Sequence, residues 1–283
     1  MDIKTVGVVG CGIMGSGIAQ VCAQSGYQVI VSDTNNDFLN KGLASINSFL
    51  VKGVEKGKIS QADMMATLSR IKGTTNSQEF ADCDLVIESA PERVDLKKKI
   101  FAELDKVCAK DVIIATGTSS QCVIDIASAT KRMDKVLGTH FFNPVPLMRL
   151  LEIVKTIATS DETVEIVRSF GKSLGKTIIV ARDDPGFIVS RLNAPFTINA
   201  IRMLEAGVAS REDIDTAAKL GFNHPMGPLE LADYVGLDTL YYASSARYDE
   251  FKDPAFAPPP LLKRMVLAGW LGRKTGRGFY EYS

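Results

Sequence analysis

The stretch from Thr5 to Asp33 constrains this chain more than any other. Thr5 to Val9 is an apolar run without alternation, the pattern of a parallel strand buried on both faces. Gly10-Cys11-Gly12-Ile13-Met14-Gly15 follows, then helical spacing from Ser16 to Ser25 closed by Gly26. Tyr27 to Ser32 reads as a second strand ending at Asp33. A glycine triplet alone recurs in many turns that bind nothing, but here it stands between strand, helix, strand and acid. In that setting the first glycine allows a tight turn, the second admits a pyrophosphate, and the third lets helix pack on strand. The helix N-terminus directs unpaired N–H groups at the phosphates. Gly10, Gly12, Ile13, Met14 and Gly15 are therefore read as a dinucleotide cradle, and Asp33 as the acceptor for the adenosine ribose hydroxyls. A carboxylate there repels a 2′-phosphate, and Thr34-Asn35-Asn36 offer no arginine to compensate. The cofactor expected is NAD.

The chain then reads as helical from Asn36 to about Ala81, with a second helix starting at the cap-like Ser60 and running to Leu68. This excursion is longer than a plain crossover helix and is expected to project from the sheet. Its lysines Lys52, Lys56 and Lys58 read as a solvated face, or as a grip on a phosphate-bearing substrate. The sheet resumes at Asp84 to Glu88. Pro91-Glu92 is expected to open a helix through Leu104, with Lys97, Lys98 and Lys99 in its first turns. Val112 to Ala115 is another buried strand, ending in Thr116-Gly117-Thr118-Ser119-Ser120. Ligands of open parallel sheets bind beyond the carboxyl ends of the strands, which is where Ser119 and Ser120 stand. The two serines equally suit capping of a helix that begins near Val123.

His140 is one of two histidines in 283 residues. It follows the apolar run Lys135-Val136-Leu137, and a proline-punctuated turn leads to a second run, Met148 to Val154, that contains Glu152. A strand–turn–strand brings Glu152 back beside His140. A carboxylate that holds an imidazole in one tautomer makes a general base near neutral pH. The plainer alternative is a turn histidine and a solvated strand glutamate.

Arg182-Asp183-Asp184-Pro185-Gly186 is the clearest break, since β-branched strand runs disappear beyond it. The domains expected are 1–184, an α/β Rossmann-type doubly wound sheet with a helical excursion, and 185–283, all-α. Phe187 to Ala206 reads as one long helix, Ser210 to Asp213 as a capping box, and Pro228 as the start of another helix. His224, in a Pro/Gly-rich turn, reads as structural. So small a set of apolar helices buries its faces poorly alone, and a homodimer is expected. Lys+Arg and Asp+Glu are both 33, so no net field draws the chain to nucleic acid or an anionic membrane. The five cysteines show no paired spacing, which points to a reducing compartment and to no metal cluster. No apolar run nears the roughly 18 residues of a membrane span. A cytoplasmic location is the expectation.

Taken together, these segments resemble the L-3-hydroxyacyl-CoA dehydrogenase family, most closely its bacterial 3-hydroxybutyryl-CoA members. The resemblance rests on Gly10 to Ala19, Thr118-Ser119-Ser120, Gly138 to Pro144, Asp184 to Val189, His224 to Leu231 and Leu271 to Tyr280. It implies an NAD-binding domain, a helical dimerisation domain, and oxidation of a 3-hydroxyacyl-CoA to the 3-ketoacyl-CoA or the reverse. His140 is then the acid/base oriented by Glu152, and Ser119 and Asn143 are polar partners of the substrate. Glu92 and Lys97 fall near the cofactor's nicotinamide side, and Lys52 to Lys58 near the CoA phosphates. This chain departs from the family pattern at four places. Gly117 stands for an asparagine, Ser190 for a substrate-holding asparagine, Val51 for a serine, and Ile198-Asn199 for Asn-Glu. Ser190 is shorter and lacks the amide donors, and Asn193, one turn on, is a candidate substitute. The departures leave open a different acyl specificity, a non-CoA 3-hydroxy acid as substrate, or an NAD-binding protein with weakened activity.

Overall fold

The computed structural model describes residues 2–282 and divides into two compact units, one ending at Asp184 and the other beginning at Pro185. In the first unit β1 (Thr5–Val9), α1 (Ile13–Gln24) and β2 (Gln28–Ser32) form the opening βαβ turn. The excursion is α2 (Asn36–Glu55) and α3 (Gln61–Ser69), followed by β3 (Ile71–Thr74). Then come β4 (Leu85–Glu88), α4 (Val94–Val107), β5 (Ile113–Thr116) and α5 (Val123–Ala127). The unit finishes with β6 (Val136–Phe141), β7 (Leu150–Lys155), α6 (Asp161–Ser173) and β8 (Thr177–Arg182).

The eight strands form one sheet in the order β3-β2-β1-β4-β5-β6-β7-β8. Every neighbouring pair is parallel except β6 and β7. The chain leaves β1 toward β2 on one side and returns to β4 on the other, so a switch-point crevice opens beyond their carboxyl ends. The strands lie buried as the unalternating runs require: Val6, Val8 and Leu85 to Ile87 are fully enclosed.

Four local readings are corrected. Helix α1 begins at Ile13, not Ser16, with Gly12 as its N-cap. The segment from Asn36 to Ala81 is not helical throughout: α3 ends at Ser69, and Ile71–Thr74 adds an edge strand to β2. Lys72 and Gly73 face solvent on that edge, so no apolar run announces it. Helix α4 starts at Val94, because Pro91 to Arg93 form a tight bend, with Arg93 N–H donating to the Pro91 carbonyl at 2.7 Å, and Glu92 is drawn to residues 118–120. The serines do not cap α5. Asp183 does, accepting from the backbone N–H of Val123 and Ile124 at 2.7 Å each.

The second unit is helical: α7 (Val189–Glu205), α8 (Arg211–Gly221), α9 (Pro228–Val235), α10 (Leu237–Phe251) and α11 (Pro260–Leu267). Ile201, Ile214, Leu229, Leu237, Leu262 and Phe279 make its core. Ser210 caps α8 with its Oγ, which accepts from the Asp213 N–H and donates to the Asp213 carboxylate; the reciprocal bond from the Ser210 N–H is not formed, so the box expected there is half formed. His224 is exposed and packs its ring against Phe196 and Phe222.

Candidate active site

The glycine loop fits a dinucleotide by space as well as by backbone. Gly10 has φ +96°, and a Cβ on it would lie 2.6 Å from the Ser89 carbonyl oxygen. A Cβ on Gly12 would meet no heavy atom within 4 Å. Protein packing therefore does not require this glycine, and the open space is what a pyrophosphate needs. No side chain caps the α1 N-terminus at Gly12, which leaves its first-turn N–H groups to an anion. Ile13 is 78% exposed on the same loop, while Met14 is half-buried. Asp33 anchors the loop with one oxygen, accepting from Cys11 N–H at 2.9 Å. Its other oxygen accepts from Thr34 N–H at 2.7 Å. The donor set at this edge suits NAD.

The strand register brings the remaining residues to the same edge, since Val9 pairs with Glu88, Glu88 with Thr116, and Thr116 with Gly138. Beyond β4 lies a buried ionic relay that the sequence did not announce. Glu88 is fully enclosed and accepts from Lys97 Nζ at 2.7 Å, Thr116 Oγ1 at 2.7 Å and Ala90 N–H at 2.5 Å. Lys97 Nζ also reaches Glu92 Oε2 at 3.2 Å. The family resemblance puts Lys97 on the cofactor's side. Its side chain is 1% exposed, and its ammonium is engaged by the Glu88 carboxylate, the Ala90 carbonyl and the Glu92 carboxylate. The usable signal was an acid closing a buried strand nine residues before a lysine.

Glu92 gathers the loop that carries Ser119. Its Oε1 accepts from the Ser119 N–H at 2.9 Å, the Ser120 N–H at 3.2 Å, Ser120 Oγ at 3.1 Å and the Thr118 hydroxyl. Burial pushes the Glu92 carboxyl up, but the Lys97 charge and the hydrogen bonds from Thr118, Ser119 and Lys97 outweigh it. The group is held below the usual carboxylate range. A depressed value keeps this clamp ionised at and above the ordinary carboxylate range, and it is lost only as pH falls through the lowered value. Ser119 itself is exposed. Gly117 donates to the Glu88 carbonyl at 2.7 Å, and a Cβ on it would lie 3.0 Å from that same oxygen.

His140 lies inside β6, not in a turn, and Glu152 is fully buried on β7, which excludes the plainer reading of both. The antiparallel register pairs them directly. His140 Nδ1 lies 2.5 Å from Glu152 Oε2. With a proton on Nδ1 held by the carboxylate, Nε2 carries the lone pair that a general base uses. The Phe142 ring stands 4.5 Å from the imidazole, centroid to centroid. Asn143 is exposed in the loop that follows. That loop, α1 and α2 line a cleft of about 110 Å³ that includes Ile13, Ser45, Phe49, Asn143 and Pro146. A larger open cavity of about 490 Å³, by Ile3, Tyr27 and Glu162, lies at the amino ends of β1 and β2, away from this chemistry.

Lys52, Lys56 and Lys58 are all exposed where α2 ends. Cations are favoured at a helix C-terminus, so this clustering has a structural reason beside any ligand. Ser190 and Asn193 sit half-buried in the first turns of α7, in the second unit. Ile198 is enclosed in the core, and Asn199 faces solvent.

Residues 5–184 match the family model described as 3-hydroxyacyl-CoA dehydrogenase, NAD binding domain, and residues 186–282 match that of its C-terminal domain. A 3-hydroxybutyryl-CoA dehydrogenase of Bradyrhizobium diazoefficiens is 46% identical over 280 residues, covering 99% of this chain and 96% of that protein. The protein of the same description from Mycobacterium tuberculosis is 44% identical, covering 99% of both. The crystal structure of an (S)-3-hydroxybutyryl-CoA dehydrogenase from Ralstonia eutropha superposes with a TM-score of 0.97 at 46% identity, covering 100% of both chains. The first-unit match is to an NAD-binding domain, in agreement with the loop and Asp33, and NAD is the cofactor. Matched in order along nearly its whole length, the chain belongs to the 3-hydroxyacyl-CoA dehydrogenase family.

Proposed function

We propose that this protein interconverts (S)-3-hydroxyacyl-CoA and 3-ketoacyl-CoA, with 3-hydroxybutyryl-CoA as its substrate. The observation that carries the reading is the buried His140–Glu152 pair on the edge shared with the glycine loop. Gly10 to Gly15, Asp33, Glu92 and Lys97 are the residues that hold NAD. When bound, NAD supplies the acceptor for the C3 hydride. In oxidation His140 Nε2 takes the proton of the 3-hydroxyl while the C3–O bond becomes a carbonyl. In reduction the same nitrogen returns that proton. The Glu152 carboxylate orients the ring and stabilises the imidazolium as it forms. Ser119 and Asn143 hold the reacting oxygen or the thioester, and Ser190 supplies a hydroxyl where the family has an amide. Lys52, Lys56 and Lys58 take the CoA phosphates, supported by their exposure and shared position at the end of α2.

The working form is a homodimer through the second unit, supported by the large apolar side chains its helices leave exposed. A reducing, cytoplasmic setting accords with five free cysteines, four of them buried. The direct test follows NADH consumption with acetoacetyl-CoA, using free CoA with its 3′-phosphate as competitor. Turnover is expected, inhibited by CoA. No turnover with acetoacetyl-CoA or with longer and branched 3-ketoacyl-CoAs would sink the reading, and turnover blind to CoA would remove the lysine assignment.

A further inference from the structure

Lys176 is a buried cation. It immediately precedes β8, is 8% exposed, and its Nζ donates to the Val145 carbonyl at 2.6 Å and the Met148 carbonyl at 2.7 Å. No carboxylate acts on it among the described residues. Burial pulls it below the ordinary lysine range, and the neighbouring Cys22 thiol acts in the other direction. An ammonium without a carboxylate is disfavoured inside a protein, and the two carbonyls that it joins belong to one short loop.

That loop is the one that carries Asn143. Within it, the N–H groups of Leu147 and Met148 both turn back to the Pro144 carbonyl, at 2.9 and 3.0 Å. Its far end is tied by the Thr177 N–H to the Arg149 carbonyl at 2.7 Å. On its other side Val145, 2% exposed, presses on α1, where a Cβ at Gly17 would lie 2.9 Å from the Val145 Cβ. Lys176 and Gly17 therefore grip the loop from two directions. Asn143, two residues before Val145 in this loop, lines a cleft with Ile13 and Gly17 of α1 and follows His140 of β6 by three residues.

We propose that Lys176 is a positioning residue for the acyl-CoA reaction: by tethering the Val145 and Met148 carbonyls it sets the place of Asn143 in the substrate cleft. The proposal rests on Asn143 being a substrate partner, as in the functional reading above. A group that acts through another has nothing left to position once the other is gone, so the two substitutions must be non-additive.

The experiment compares the full-length enzyme with Lys176→Met, Asn143→Ala and the double variant, using acetoacetyl-CoA and NADH, with NADH affinity measured on each. Lys176→Met is expected to lower kcat/KM about tenfold, with NADH affinity changed less than about twofold and the double variant within about twofold of Asn143→Ala alone. Wild-type kcat/KM in Lys176→Met, or losses that multiply in the double variant, would overturn the proposal. Wild-type kinetics in Asn143→Ala would instead remove the substrate role of Asn143 while leaving the dehydrogenase reading intact. Should Lys176→Met not fold, Gly17→Ala displaces the same loop from the opposite side, on a helix where alanine is favoured over glycine. It is expected to lower kcat/KM and to be equally non-additive with Asn143→Ala; wild-type kinetics or independent losses there also overturn the proposal.

Discussion

A methyl group at Gly12 would meet no heavy atom within 4 Å, whereas at Gly15 it would lie 1.8 Å from the Gly10 carbonyl oxygen. One glycine leaves room for a ligand, and the other lets helix α1 close on its strand. Gly12→Ala is therefore expected to fold and to lose no more than about 1 kcal/mol, since its φ of −70° suits alanine and the cost is that of giving up an N-cap glycine. NADH affinity should fall at least about tenfold, or about 1.4 kcal/mol. A melt together with an NADH titration checks this, and unchanged affinity would show that the pyrophosphate does not approach Gly12. The same residue scale shows where the sequence was opaque. Glu88 and Lys97 are ordinary charged residues in the primary structure. Only folding encloses both, and only then does the Lys97 ammonium meet the Glu92 carboxylate.

Among the elements, those with strong periodicity were legible: the strand of Thr5–Val9, the α1 and α2 helices, the Ser60 cap and the β6–β7 return. The Ser60 box forms in both directions, with Asp63 N–H to Ser60 Oγ at 3.0 Å and Ser60 N–H to Asp63 Oδ2 at 3.1 Å. What was not legible depends on partners distant in sequence. Strand β3 exists because β2 lends it a ladder, and α5 starts where it does because Asp183, some sixty residues later, accepts its first N–H groups. In the second unit the helices bury one face and leave another uncovered. Leu192 on α7 is 73% exposed, Leu220 on α8 81%, Phe222 just after it 66% and Leu267 on α11 78%. Water contact over so many large apolar groups is unfavourable, and in the homodimer proposed above a second copy of the chain covers them. Sedimentation at micromolar concentration should give a mass twice 30.7 kDa. A persistent species of 30.7 kDa would remove the homodimer.

For the molecule as a whole, fold class, cofactor and the pairing of His140 with Glu152 were readable because each is written locally: a glycine turn, a terminal acid, and two strands whose return is fixed by a short loop. The groups proposed to hold the substrate were less so. Ser190 and Gly117 are visible as departures from the family pattern, and the tight approach of Gly117 to the Glu88 carbonyl shows why an asparagine there is not a simple restoration. The central claim is that His140, held by Glu152, moves the proton of this reaction while other residues bind NAD. The decisive measurement is acetoacetyl-CoA turnover by His140→Ala, with NADH binding determined on the same sample. Turnover should fall by roughly 10²–10⁴, the range for loss of a general acid/base, with NADH affinity near that of wild type. Near-normal turnover with intact NADH binding would contradict the account.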